Sequence, residues 1–292
     1  MDLVTPGYRA ASFVCRKLPR PVIEGAAPWI AGQWSRRPTD RRRMVERHQR
    51  RARPDLSDAE LQRQVRDVYR SYGRYYAESF RLPAVGEAEL DARMTVDGYE
   101  HFEAAMAGPL GPLMVLPHLG SWEWCAYWLA GVKKFPVTAV VERIEPDALF
   151  DWFTEFRREM GVHVVPLGPE AGREVTRAVK ERHVIALLSD RDITGKGIEV
   201  EFFGERTTLP GGPATLALRT GAPILAVAIY DRPGGMHHAV CTPPFDTERR
   251  GTLREDVARI TQDIATALEE LIRAAPEQWH LLQPNWPSDK IA

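Results

Sequence analysis

The stretch Pro117-His118-Leu119-Gly120-Ser121-Trp122-Glu123-Trp124 brings a base, a glycine turn, a hydroxyl and a carboxylate close together. The apolar run Leu113–Leu116 leads directly into His118, and a helix begins near Ser121. The histidine therefore falls at the carboxyl end of a strand, where open α/β sheets carry their reactive groups. An imidazole there can take a proton from a hydroxyl near neutral pH, and the adjoining helix N-terminus disfavours its charged form. Glu123, in the first turn of that helix, is placed to reach back to a ring nitrogen and fix the tautomer. The plain alternative is a histidine that only caps a turn.

A second charged group follows another apolar strand. Ser189-Asp190-Arg191-Asp192 comes directly after Val184–Leu188, and charges at the end of a buried strand must be paired or used. They form an ion-pair cluster with Arg143 or Arg157, or else Asp190 orients His118 while Arg191 meets a phosphate. Further on, Phe202, Phe203, Leu209 and Pro210 offer an apolar surface for a lipid tail, or ordinary core. Gly211-Gly212 lacks the Lys-Ser/Thr of a P-loop and is too weak a signal for a phosphate cradle.

The elements that must position these residues follow from periodicity. Strands are expected at Leu113–Leu116, Val137–Val141, Val162–Val165, Val184–Leu188, Ile198–Phe203, Ile224–Ile229 and His238–Thr242. Helices are expected at Trp122–Ala130, Asp147–Met160, Glu170–Lys180, Gly212–Thr220 and Leu253–Ala274. Apolar strands alternating with helices predict an α/β fold, a central, mostly parallel β-sheet flanked by helices. Upstream, Ser57 and Glu60 form a capping-box signature for a helix that carries Leu61, Val65, Val68, Tyr69, Tyr72, Tyr76 and Phe80 and stops before Pro83.

The chain has 292 residues, a net charge of −1 and three cysteines. The near-neutral total gives no global bias toward nucleic acid. Cys15, Cys125 and Cys241 form no CxxC pair, so neither a disulfide framework nor a thiolate zinc site is expected, and a reducing cytosol fits. Charge is unevenly placed: residues 1–54 carry a net +9, leaving −10 on the remainder. A basic end of this kind meets an anionic surface. In a helix from about Gly7 to Leu18, Ala10, Phe13, Val14 and Leu18 share one side, and Trp29 and Trp34 follow as anchors at headgroup level. The same helix could instead pack on the body of the protein. No apolar run approaches the roughly 20 residues of a spanning helix, so a peripheral, cytoplasmic-face position at the inner membrane is expected. The organisation read from this is a basic amphipathic helical extension over 1–55 and an α/β domain over 56–292.

Taken in order, His118-Leu-Gly-Ser-Trp-Glu123, Asp190-Arg191-Asp192, Val200-Glu-Phe-Phe-Gly204, Leu209-Pro-Gly-Gly-Pro-Ala214 and Pro276-Glu-Gln-Trp279 resemble the lipid A biosynthesis acyltransferase family, within the superfamily that carries a His-x4-Asp/Glu motif. Glu142-Arg143-Ile144-Glu145-Pro146, Phe156-Arg157, Trp279-His280-Leu281-Leu282-Gln283-Pro284 and Tyr75-Tyr76-Ala77-Glu78-Ser79-Phe80-Arg81 are similar to its actinobacterial phosphatidylinositol mannoside acyltransferase branch. The resemblance implies transfer of a long-chain acyl group from acyl-CoA, a co-substrate, to a mannose hydroxyl of the glycolipid, with no cofactor and no metal. It implies His118 as base, Glu123 or Asp190 as its orienting acid, and Arg157, Arg143, Glu142 and Arg191 as substrate-binding residues. A serine hydrolase using Ser121 and His118 is the rival enzyme, although Ser121 lacks a Gly-x-Ser-x-Gly elbow. A non-catalytic membrane or nucleic-acid binder built on the basic N-terminus is the rival of another class.

Overall fold

The computed structural model describes residues 4–289. Four helices come first: α1 (Val4–Lys17), α2 (Arg20–Trp34), α3 (Asp40–Ala52) and α4 (Asp58–Arg81). They are followed by α5 (Glu87–Ala92), β1 (Met94–Asp97), α6 (Tyr99–Ala107), β2 (Leu113–Leu116), α7 (Trp122–Tyr127) and β3 (Val137–Val141). Next come α8 (Asp147–Glu159), β4 (Val162–Pro166), α9 (Ala171–Lys180), β5 (Val184–Leu188), β6 (Ile198–Phe202) and β7 (Glu205–Leu209). The chain ends with α10 (Gly212–Thr220), β8 (Ile224–Arg232), β9 (Met236–Cys241) and α11 (Leu253–Arg273).

Seven strands form one sheet in the order β1-β9-β8-β2-β5-β3-β4, parallel at every pairing except β8 with β9. Strands such as Leu-Met-Val-Leu and Val-Ile-Ala-Leu-Leu are apolar at successive positions because helices cover both faces. The two-residue alternation of the pleat divides them between two cores. Leu113, Val115, Ile185 and Ile224 pack with α9, α10 and α11, whereas Met114, Leu116, Val184 and Leu225 pack with Phe102, Trp122, Trp128 and Phe156.

The Ser57–Glu60 capping box is present and starts α4, which ends at Arg81 as Pro83 requires. The run expected as the strand Ile198–Phe203 stands apart from the main sheet. Its strand β6 pairs antiparallel with β7 through a two-residue turn at Phe203 and Gly204. Both turn residues are left-handed, with φ of 54° and 74°. A phenylalanine in that region is uncommon, which is why the turn reads as strand. Phe203 is held there by packing against Trp279 and Phe202 and by its N–H donating to Glu269 Oε1.

Residues 4–52 behave in two ways. Helix α3 is anchored in the body: Met44, Val45 and Ala52 are buried, and the buried His48 bridges the Leu281 carbonyl and Asp289. Helices α1 and α2 lie on α4, where Gly73 allows Ala27 and Ala31 to come close. In α1, Thr5 and Ser12 are buried and Tyr8 packs on Tyr76, Phe80 and Phe153, while Phe13, Val14 and Leu18 face outward. Val22, Trp29, Ile30 and Trp34 of α2 are exposed as well, and the most exposed of the set are Phe13 at 64%, Trp29 at 63% and Trp34 at 58%. The first helix therefore packs on the body through one side, as one of the two expectations has it, and leaves Phe13, Val14 and Leu18 exposed. Among the described residues, no helix is long and apolar enough to cross a membrane.

Candidate active site

Strand register brings the two charged motifs together. β2 and β5 are parallel neighbours with Leu116 opposite Leu188, so the residues two positions beyond each, His118 and Asp190, leave the sheet side by side. Asp190 Oδ1 lies 2.6 Å from His118 Nδ1. Its Oδ2 accepts the His118 main-chain N–H at 3.0 Å and the Trp279 indole N–H at 2.8 Å. Asn285 donates to the Asp190 carbonyl at 3.0 Å. Burial alone would raise the Asp190 carboxyl, but the His118 charge and these donors hold it below the usual carboxylate range. For His118, burial works to lower the imidazole, and the Asp190 carboxylate overrides it and raises the ring above its ordinary value. An ionised Asp190 keeps the proton on Nδ1, leaving Nε2 as the nitrogen available to a substrate. The His118 side chain retains 31% exposure and lines the main cavity.

Glu123 does not reach the ring. Its Oε1 accepts from the Tyr75 hydroxyl at 2.7 Å and from Arg157 Nη2 at 3.2 Å, so Asp190 is the acid that orients His118. The reason is direction: α7 carries the Glu123 side chain toward α4 and α8, whereas Asp190 leaves the neighbouring strand beside the ring. Burial pushes the Glu123 carboxyl up against the opposing pull of Arg157. Arg157 lies across the rings of Trp122 and Phe153, at 5.1 and 5.5 Å, and lines the cavity. Its buried Nε has no hydrogen-bond partner. If Glu123 serves to hold Arg157, Glu123→Gln should raise the KM for the acceptor and move the acidic limb of kcat/KM far less than Asp190→Asn does, since Glu123 is the weakest of the groups acting on the imidazole. A limb moved as far as in Asp190→Asn in steady-state pH profiles would instead tie Glu123 directly to His118.

The other charged residues separate. Arg191 reaches Glu142 Oε2 at 3.5 Å, and both line the cavity. Arg143 pairs with Asp147 at 3.2 Å on an exposed helix start and is not among the cavity walls, so the expected partnership of Arg143 with the Asp190 group does not form. Asp192 closes its own loop, accepting from Thr194, Gly195, Gly197 and Thr208.

The turn carrying His118 is fixed on its other side by the tail. His280 N–H donates to the His118 carbonyl at 2.7 Å, and Gly120 N–H donates to the Gln278 carbonyl at 3.0 Å. Gly120 has φ +58°, and a Cβ there would stand 1.9 Å from the Ile229 carbonyl oxygen, so only glycine fits. Trp279, Gln278 and His280 are thus part of the site. Read along the chain they are a tail motif after a helix, and a tryptophan with a buried N–H that needs an acceptor was the available signal. Ser121 is 2% exposed and donates to Glu78 Oε2 at 3.1 Å, which removes it from reach as a nucleophile.

The cavity has a volume of about 670 Å³. Tyr75, His118, Arg157, Arg191 and His280 contribute polar or charged groups, and Val140, Phe150, Val175, Leu187, Leu188 and Leu216 supply apolar walls from strands and helices above the sheet edge. Phe202, Phe203 and Leu209 belong to the buried core and not to the cavity; of that segment only Pro210 and the glycines after it reach the wall.

An imidazole held by a buried carboxylate at the wall of an apolar cavity, with Ser121 turned away, is an arrangement that acyl transfer can use. The family model described as bacterial lipid A biosynthesis acyltransferase matches residues 7–288, and the chain belongs to that family. It is 38% identical over 224 residues to a phosphatidylinositol mannoside acyltransferase of Mycobacterium tuberculosis (strain ATCC 25618 / H37Rv), covering 75% of this chain and 69% of the relative. It is 36% identical over 229 residues to the protein of the same name from Mycolicibacterium smegmatis (strain ATCC 700084 / mc(2)155), covering 77% of this chain and 73% of the relative.

Proposed function

We propose that this acyltransferase moves a long-chain fatty acyl group from acyl-CoA to a mannose hydroxyl of phosphatidylinositol mannoside. The Asp190–His118 pair at the wall of the apolar cavity carries the reading. The names of the relatives supply the acceptor class. A sugar hydroxyl is a poor nucleophile at neutral pH and a thioester carbonyl a good electrophile, so the reaction needs a base and a dry slot more than a covalent intermediate. His118 Nε2 takes the hydroxyl proton as the sugar oxygen attacks the thioester carbon. The tetrahedral intermediate collapses with cleavage of the C–S bond, and the imidazolium returns its proton to the departing CoA sulfur. Asp190 stabilises the transient imidazolium. Arg157 is placed for a phosphate or carbonyl oxygen, with Arg191 and Glu142 beside the same cavity. Incubation of the purified protein with palmitoyl-CoA and phosphatidylinositol mannoside, followed by mass spectrometry, tests the proposal. Acylated glycolipid with release of free CoA is expected; hydrolysis without acylation would favour a thioesterase, and no reaction with any thioester would reject the enzyme assignment.

The membrane partner is read from α1 and α2, and a peripheral position on the cytoplasmic face is part of the proposal. Both helices expose large apolar side chains, and Arg37 and Lys17 lie over the rings of Trp34 and Phe13. Each basic residue within a Debye length of an anionic bilayer contributes about 1 kcal/mol. Not all of the +9 counts, since Arg51 and Arg42 are committed to internal partners. Replacing Phe13, Trp29 and Trp34 together by serine should cut binding to anionic vesicles at least tenfold in sedimentation assays, for even partial burial of such side chains is worth about 1–2 kcal/mol each. Activity on lipid-embedded acceptor should fall with it, while activity on a short water-soluble mannoside persists. Unchanged vesicle binding would exclude this surface as the membrane contact.

A further inference from the structure

Beneath the His118 turn lies a polar cluster that the proposed chemistry does not use. Glu78 comes from α4, and Asp231 and His237 are cross-strand partners on β8 and β9. The three are 6%, 5% and 1% exposed, and one oxygen or nitrogen from each lies within 4.8 Å of the others. His237 Nδ1 stands 3.2 Å from Asp231 Oδ1, so the proton belongs on Nδ1 and the Nε2 lone pair is free. That lone pair faces Glu78 Oε2 at 3.9 Å, too far for a hydrogen bond. His237 Nε2 and Asp231 Oδ2 are both buried without a hydrogen-bond partner. Trp124 stacks on the imidazole at 4.2 Å and closes one side.

Two buried carboxylates beside one imidazole need neutralising, by a bound cation or by a proton, and no arginine or lysine makes an ion pair with them among the described residues. Two ligands each about 2.1 Å from a common zinc ion stand roughly 3.4–4 Å apart, the spacing seen between His237 Nε2 and Glu78 Oε2. We propose that Glu78, Asp231 and His237 bind one divalent cation of the zinc type, which fastens the His118 turn to α4 and the β8–β9 hairpin. The connection to the turn is direct: Ser121 donates to Glu78, and Gln278 exchanges two hydrogen bonds with the main chain of Asp231 while its own carbonyl holds Gly120. The role is structural, since none of the three residues lines the cavity. The ligands are scattered along the chain at 78, 231 and 237, so no metal-binding spacing marks them and the sequence carries no expectation of a metal.

The rival neutraliser is a proton on Glu78, whose carboxyl is pushed up to about 8, first by burial and then by Asp231. Elemental analysis of untagged wild-type protein purified without chelator separates the two. About one zinc per chain is expected, absent from His237→Gln and from Asp231→Asn. Stripping wild type with dipicolinate should lower Tm by more than about 5 °C, and Zn²⁺ alone should restore it. Should either variant fail to fold, the wild-type metal content and the Zn²⁺-reversible Tm shift still decide. A metal-free wild type whose Tm does not respond to added Zn²⁺ would overturn the proposal and leave the proton in its place.

Discussion

His118→Ala is expected to lower kcat/KM for acyl transfer by about 10²–10⁴-fold, the range typical for loss of a general base. The ring is the only imidazole, among the described residues, that both lines the cavity and is oriented by a carboxylate; His280, the other histidine of the wall, is held by Ser71 and driven down to about 4 by burial. Ser121 does not stand ready to substitute, because it is buried against Glu78. The substitution removes a partly exposed side chain, so the fold and vesicle binding should survive; circular dichroism and sedimentation serve as controls. A variant that keeps more than about a tenth of wild-type turnover in a radiolabelled transfer assay would reject His118 as the base.

Asp190→Asn should produce the second-largest loss, and its signature is in the pH profile. As a base, His118 works only when neutral, so kcat/KM should climb with pH through an imidazole value raised above the ordinary one. The neutral amide of the variant cannot replace the carboxylate that raises it, and burial is left to act alone. The acidic limb should therefore move to lower pH while the plateau falls, by about 10²-fold or more if the wrong tautomer forms. The stability consequences have fixed signs. The depressed Asp190 carboxyl stabilises the fold at neutral pH, and that contribution is lost as pH falls through its lowered value. The raised His118 contributes fully below the ordinary imidazole value and loses that contribution as pH rises through its folded value. Steady-state kinetics across pH on both proteins check the claim. A variant with a lowered plateau and an unmoved limb would reduce Asp190 to a packing role.

By itself the sequence determined the parts whose cause is local. Leu113–Leu116, Val137–Val141, Val184–Leu188 and Gly212–Thr220 form with the expected boundaries, because unbroken apolar strands and a Gly-Pro helix start carry their own signals. The start of α4 and the placement of His118 at a strand end are equally local. The short strand β1 and the turn at Phe203 were not legible, and the boundaries of α2 and α3 inside the expected helical extension were not either. β1 exists only by pairing with β9, and the left-handed Phe203 is held by Trp279. The choice between Glu123 and Asp190 was open for the same reason. Glu123 lies close to His118 along the chain, yet helix direction sends that carboxylate to Tyr75 and Arg157. Asp190 lies 72 positions from His118, and the parallel register of β2 and β5 sets the two side chains 2.6 Å apart. Distance along the chain says little about contact once strands pair, and so the orienting acid, the tail residues that hold the turn and the buried Glu78–Asp231–His237 cluster were decided by tertiary structure alone.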